Sequence, residues 1–342
     1  MRRNLIERIT LLPASDQPIL VTGGAGYIGA HVVRLLVEQG HQVVVVDDLS
    51  TGSAERVGPA ELVRIDVSDP SATAELIQLI QDYHVGSVVH LAARKQVPES
   101  VSRPGWYYRQ NVGGMTNLLS AMEQTGVDQL VFSSSAAVYG GQTEGLVEED
   151  RVPAPINPYG ETKLIGEWMG RAASRAWGLR FIALRYFNVA GAASPDLADP
   201  AVLNLVTIVL DQISRGLSPV VFGDDFPTSD GTCVRDFIHV SDLARAHVAA
   251  ISYLSRESRP YDVFNVGTGI GYSVREVISE LARVGGVEIV PEIGARRPGD
   301  PASVVASPER INRILDWQAT AGLGETISSA WEAWRMSPRV AA

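Results

Sequence analysis

The stretch ILVTGGAGYIGAHVV, Ile19–Val33, decides how this chain folds. It opens with a short apolar run suited to a strand. Gly23, Gly26 and Gly29 follow, and then a helical pattern in which Ile28, Val32, Leu35 and Leu36 fall on one apolar face. Glycines between a strand and a helix let the chain turn sharply and let a pyrophosphate approach the backbone. The helix start then offers unpaired N–H groups and a partial positive charge. A glycine pattern alone says little, but here the strand before it and the helix after it are both present.

The next run, HQVVVVDD, ends a second strand at Asp47. A carboxylate there can accept hydrogen bonds from both ribose hydroxyls of an adenosine and repels a 2′-phosphate. NAD is therefore expected in preference to NADP. The competing reading is a tight turn in a purely structural α/β unit. RIDVSD places Asp66 and Val67 at another strand end, near an adenine. HLAARKQV places Ala92 and Ala93 where the backbone passes close to the dinucleotide; ordinary packing explains each of these four equally well.

Outward from this unit, β-branched runs alternate with helical patterns from Ile19 to about Tyr186. They include GSVVHLAA, DQLVFSSS and LRFIALRYFN. Apolar on both faces, they suit a parallel sheet covered by helices, a Rossmann-like doubly wound α/β fold. After Asn188 the rhythm fails. AGAASPDLADP reads as a loop and AVLNLVTIVLDQISRG as a helix. DFIHVSDLARAHVAAI and YDVFNVG read as a helix and a strand returning to the sheet. The expected organisation is an N-terminal extension over 1–17, loose or lightly docked, and an NAD-binding domain over 18–187 and 237–264. A smaller, discontinuous α/β domain over 188–236 and 265–342 would bind a nucleotide sugar.

The chain has 342 residues, 45% of them hydrophobic and 20% charged, an ordinary globular balance. Its net charge of −10 argues against nucleic acid as a partner. No apolar run is long enough to span a bilayer, so no membrane is expected. One cysteine, Cys233, excludes an internal disulfide framework and fits a reducing cytoplasm. No metal site is expected.

Only two of the 29 basic residues are lysines, and one of them, Lys163, lies four residues after Tyr159 in INPYGETK. With ten tyrosines and two lysines, that spacing is expected by chance well under once. On a helix starting at Pro158 the two share a face. An ammonium near a phenol, with a positive nicotinamide ring, favours the phenolate and makes Tyr159 a general base. Arginine would not present one compact charge. In VFSSSAAVYG a strand ends among Ser133, Ser134 and Ser135, at the carboxyl edge where ligands bind; a hydroxyl there can hold a substrate oxygen.

Together VTGGAGYIG, SSSAAVYG, PYGETK, LRYFNVAGA, FGDDFPTSDGTCVRDFIHVSDLA, FNVGTG and RRPGD resemble the extended short-chain dehydrogenase/reductase family. The resemblance runs from about Ile19 to Trp334 and is strongest to the branch that epimerises UDP-sugars. It implies that Tyr159 takes the proton of the sugar 4-hydroxyl and that tightly held NAD+ accepts and returns the C4 hydride as the 4-keto sugar turns. UDP-galactose and UDP-glucose are then interconverted. Ser135 matches the hydroxyl-bearing catalytic position, and Lys163 the lysine on the nicotinamide ribose. Tyr27, Ile28, Asp47, Asp66, Val67 and Lys95 match cofactor positions, and Phe187 a residue beside the nicotinamide; Leu91 is also expected at the cofactor, where it replaces a residue seen in some relatives. Asn188, Asn204, Arg235, Val274, Arg297 and Asp300 match UDP-sugar positions, and Phe222 is expected near the uracil. Phe222 and Val274 also fit simple core packing. A homodimer is implied. Val304, four residues after Asp300, matches a position beside the sugar 2-substituent. Tyrosine there crowds the pocket in some relatives, so valine predicts room for UDP-N-acetylhexosamines as well. Arg109 and Gln110, just before Asn111, replace an acidic residue and an asparagine, which weakens the expectation of a cofactor contact there.

Two rivals share the motifs. A nucleotide-sugar dehydratase or decarboxylase needs an added acid near the sugar, where this chain has Ala136 and Ala137. A non-catalytic NAD-sensing protein has no need of Ser135, Tyr159 and Lys163 together.

Overall fold

The computed structural model describes residues 17–141, 145–258, 261–297 and 299–336; apart from Gln17, the expected extension lies outside them. Seven strands form one parallel sheet: β1 Ile19–Thr22, β2 Val43–Asp47, β3 Glu61–Arg64, β4 Ser87–His90, β5 Gln129–Ser135, β6 Arg180–Tyr186 and β7 Tyr261–Val266. Their order is β7-β6-β5-β4-β1-β2-β3, every neighbouring pair parallel. The order reverses between β1 and β4, so a crevice opens at their carboxyl ends.

Alternating side chains fill two cores, as the period of two demands. Ile19, Val21, Val45, Val131 and Leu184 pack on one face under α1 (Tyr27–Glu38) and the helix Val240–Arg256. Leu20, Val44, Val88, Leu130 and Phe181 pack on the other, under α2 (Ala72–Asp82) and α3 (Gly114–Thr125). α4 (Pro158–Trp177) reaches that face through two glycines. A Cβ on Gly166 would stand 2.4 Å from the Phe132 ring, and one on Gly170 2.3 Å from Phe181.

Two sequence expectations change. β3 is half exposed, because it is the sheet edge and not a strand covered on both faces. The helix expected from Ala201 starts only at Leu205. The Asn204 side chain accepts the Thr207 N–H at 3.0 Å, and the Thr207 hydroxyl answers the Asn204 N–H in a capping box that marks the boundary.

A smaller mixed sheet stands beside the carboxyl edge. Val234–His239 is its centre, antiparallel to Gly271–Ser273 and parallel to Ser303–Ala306 and Asn188–Ala190. Leu146–Val147 extends it past Ser303–Ala306. The buried Asp236 carboxylate stitches it together, accepting the Thr268, Gly269 and Ala306 N–H groups.

Close approach sets the glycine turn. Gly23 has a φ of +74°, and a Cβ on Gly29 would stand 2.1 Å from the Gly23 carbonyl. Gly29→Ala gains about 1 kcal/mol of helix propensity. It must also displace a backbone oxygen that has no rotamer to retreat into, and overpacking costs about 1–3 kcal/mol. The clash wins, so the variant is expected to have a lower denaturant midpoint than the parent protein.

Candidate active site

The crevice holds a cavity of about 310 Å³. Gly23, Gly26, Tyr27, Ile28 and Gly29 line its floor, where α1 begins at Gly26 with no side-chain cap. Its first N–H groups are thus left for an anion. Asp47 stands at the wall, accepting the Ala25 N–H at 3.0 Å and the Leu49 N–H at 2.9 Å. Burial pushes its carboxyl pKa up against those two bonds. Asp66, Val67, Leu91, Ala92, Ala93 and Lys95 line the cavity too. Tyr27 is fixed by a 2.5 Å bond from its hydroxyl to the Gly191 carbonyl. Phe187 lies off the cavity, buried with Val138, Tyr139 and Leu164. The bare helix start, the close backbone and the ribose-side carboxylate fit a dinucleotide.

The proposed chemistry sits where β5 ends against α4. Asn157 caps that helix, accepting the Gly160 N–H at 2.9 Å, and Pro158 occupies its first position. Tyr159 and Lys163 then lie one turn apart and both line the cavity, with the Lys163 Nζ 5.9 Å from the Tyr159 ring centre. Lys163 is buried and donates to the Ser133 carbonyl at 2.7 Å. The Ser135 side chain hydrogen-bonds Tyr159, and its oxygen accepts the Ala137 N–H at 3.2 Å. Burial lowers the Lys163 pKa to about 7. Burial also raises the Tyr159 phenol, with the Ser135 bond pulling the other way. With the protein's own groups alone, desolvation therefore outweighs the Ser135 bond, and the phenol is held in its neutral form.

Sequence reasoning missed the frame behind these groups. Glu167, one turn beyond Lys163, pairs bidentately with Arg185 of β6 at 2.9 and 2.7 Å. Glu167 also accepts the Ser134 hydroxyl at 2.5 Å. Arg185 donates on to the Tyr139 hydroxyl at 2.8 Å, which donates to Asn265 of β7 at 2.6 Å. His90 bonds Thr22 at 2.6 Å, and burial followed by the Lys163 charge lowers its pKa to about 3, so it stays neutral. The Tyr186 hydroxyl meets His247 at 2.5 Å. The available signal was an arginine amid the apolar LRYFN and a glutamate on the same helix face as Lys163.

The residues expected to hold the sugar nucleotide lie outside the cavity lining, on and beside the smaller sheet. Arg235 is in register with Val304, donates to the Pro301 carbonyl at 2.9 Å and stands 3.8 Å from Asp300. The Arg297 guanidinium lies 3.9 Å over the half-exposed Phe222 ring. Val304 packs against the cluster containing Phe187. Asn188 is exposed at the start of its strand. Asn204 is committed as a helix cap and also donates to Asp199 at 2.8 Å. Val274 opens a helix and packs against the smaller core. Arg109 is exposed, whereas Gln110 lines the cavity. Among the described residues no group of His, Cys, Asp or Glu could hold a metal ion, and no helix is long and apolar enough to cross a membrane.

Comparison with known proteins places these features in company. The NAD dependent epimerase/dehydratase family model matches residues 19–267. A UDP-glucose 4-epimerase of Azospirillum brasilense is 44% identical over 310 residues, covering 89% of this chain and 88% of its own. The crystal structure of a Brucella ovis UDP-glucose 4-epimerase in complex with NAD superposes with a TM-score of 0.87. It is 40% identical over 93% of this chain and 98% of that one. That of a Stenotrophomonas maltophila UDP-glucose 4-epimerase, with NAD and formylated UDP-arabinopyranose, gives 0.89 at 39% identity, over 95% and 100%.

Lys163 makes stability depend on pH. Its pKa is about 7 in the fold against 10.5 for an ordinary lysine, so between those values the unfolded chain binds the extra proton. Stability then rises with pH across that window, and the full penalty is present below it. Denaturant titrations of nucleotide-stripped protein from pH 7 to 10.5 are expected to show this slope. Lys163→Met is expected to flatten it; an unchanged slope would refute the assignment.

Proposed function

The chain belongs to the NAD dependent epimerase/dehydratase family, and from that premise we propose that it inverts C4 of UDP-hexoses, interconverting UDP-galactose and UDP-glucose, with NAD as a resident cofactor. The observation that carries this is that Tyr159 and Lys163 both line the dinucleotide cavity, with the Ser135 side chain hydrogen-bonded to Tyr159. NAD, held by the glycine turn and Asp47, would supply reversible hydride acceptance at C4, so no net redox would occur.

The protein's own groups do the proton work. Tyr159 accepts the proton of the 4-hydroxyl and gives it back when the hydroxyl re-forms. Burial opposes the phenolate this requires. Lys163 and the positive nicotinamide offset that cost, because each favours the charged form. Ser135 holds the sugar oxygen and keeps the phenol aimed at it. Arg235 and Arg297 neutralise the diphosphate through charge-assisted bonds. To do so Arg297 leaves Phe222, whose ring face is then free for the uracil. The alanines at 136 and 137 supply no added acid for a dehydratase.

The NAD-binding unit of this proposal comprises 18–187 and 237–264, and the UDP-sugar unit 188–236 and 265–342. A second copy of the chain is its partner. Trp168 of α4 and Val101 of the adjoining helix Val97–Ser102, 58% and 62% exposed, are apolar groups that such a partner would cover. The cytoplasm is the compartment, where the single buried thiol, Cys233, stays reduced.

The assay supplies UDP-galactose without added NAD and follows UDP-glucose. Tyr159→Phe removes one hydroxyl and keeps the ring. It is expected to lower kcat by about a hundred- to ten-thousandfold while NAD remains bound. Turnover near that of the parent protein would rule out the mechanism.

Val304 bears on substrate breadth. Its register with Arg235 and its packing beside the Phe187 cluster support a position near the sugar. Valine leaves room for an acetamido group, whose amide must then find backbone or water partners. UDP-galactose and UDP-N-acetylgalactosamine are both expected to turn over. Val304→Tyr is expected to cut kcat/KM for the second by about tenfold or more relative to the first. Equal losses, or no N-acetyl activity in the parent protein, would defeat this reading.

A further inference from the structure

Arg94 stands between two cofactor-lining residues, Ala93 and Lys95, and no role read from the sequence touches it. Its backbone is pinned by Asn111, whose amide oxygen accepts the Arg94 N–H at 2.8 Å and whose amide nitrogen donates to the Arg94 carbonyl at 3.0 Å. From that fixed root the guanidinium reaches three acceptors. Nη2 donates to the Asp48 carboxylate at 2.7 Å, Nη1 to the Ser50 hydroxyl at 2.5 Å and Nε to the Gln110 carbonyl at 2.9 Å. The Trp106 ring lies 5.3 Å from it. The run continues, since Gln110 donates to Ser68 at 2.6 Å and Ser68 to Asp66 at 2.7 Å.

This string ties together the segments that follow β2, β4 and β3. Asp48, Ser50, Arg94, Gln110, Ser68 and Asp66 all line the cavity. They gather at its ribose and adenine end, marked by Asp47, Asp66 and Val67. The Arg94 and Asp48 side chains are 20% and 26% exposed, so the pair is neither fully screened nor fully buried. A guanidinium whose planar fork is filled on three sides holds a geometry that a single flexible ion pair does not.

We propose that Arg94 is a retention residue: it latches the banks of the groove together over the adenosine end, and opening this latch limits release of NAD. The proposal rests on the reading of the cavity as an NAD site. Gln110 gains a function in it: it carries the latch from Arg94 to the adenine side.

The test measures release of NAD from purified holoprotein. Protein carrying its nucleotide is diluted into a scavenging NAD-hydrolysing enzyme, and the bound NAD is followed with time. Arg94→Leu and Asp48→Asn are each expected to release NAD about three- to tenfold faster. The double variant is expected to be no faster than the quicker single, because both remove one latch. Added salt is expected to speed release from the parent protein and to leave Arg94→Leu unmoved, since a partly exposed ion pair is screened. A merely structural role would not confer that difference in salt response. Release from Arg94→Leu at the parent rate, or single effects that multiply in the double variant, would overturn the latch. If Arg94→Leu does not fold, Gln110→Ala and Asp48→Asn make the same comparison. A parent protein that neither carries nor takes up NAD would instead defeat the proposed function.

Discussion

Four elements converge on one buried ion pair. Glu167 of α4 and Arg185 of β6 face each other in the interior, their side chains 2% and 5% exposed, and between them they bind Ser134 of β5 and Tyr139. Through Tyr139 the pair reaches Asn265 of β7. Burying two charges gains little net stability, but removing one partner costs about 3–5 kcal/mol because the other is left unpaired. Such a pair tolerates one docking of its elements and penalises any slip. Since Lys163 is one turn from Glu167 on the same helix, that docking carries the ammonium to the Ser133 carbonyl. Glycines at 166 and 170 then let the helix approach closely enough for the pair to form.

What could be read from the sequence was whatever is encoded locally. The glycines at 23, 26 and 29, the carboxylate ending β2 and the spacing of Tyr159 and Lys163 are patterns within a few residues, and each has a geometric reason. The frame beneath them was illegible for the opposite reason. Arg185 and Glu167 are 18 residues apart, Tyr139 and Asn265 are 126 apart, and a charged side chain in a helix reads as a solvent-facing one until its partner is known. Asn204 shows a second kind of ambiguity. An asparagine suits a sugar hydroxyl and a helix cap equally, and only the backbone distinguishes the helix boundary. β3 shows a third, because an apolar run does not reveal that it forms the edge of a sheet.

The arginines outside the cavity share a different character. Arg296 is paired with Asp225 and lies over Phe226, Arg297 lies over Phe222, and Arg235 stands at a loose 3.8 Å from Asp300. On the proposed function, Arg235 and Arg297 would exchange these partners for the stronger charge-assisted bonds of a diphosphate. In a chain of net charge −10, such partners keep the guanidiniums placed without a ligand and make them easy to recruit. Asp47 is held differently, by two backbone N–H groups that only partly offset its burial. The carboxylate of the groove is thus fixed by backbone, and the arginines beside the smaller sheet are held by side-chain and ring contacts.

The scarcity of lysine also gives the molecule an unusual chemical address. Lys95 and Lys163 are its only side-chain primary amines, and both line one cavity. Lys95 is exposed and retains ordinary access to solvent, while Lys163 is buried and donates to the Ser133 carbonyl. Amine-directed labels and crosslinkers therefore have one exposed side-chain target, Lys95, at the dinucleotide groove, with Lys163 buried beside it. Where most proteins scatter such reagents over their surface, here side-chain acylation is confined to the edge of a single crevice, and immobilisation through side-chain amines would orient the protein with that crevice against the support.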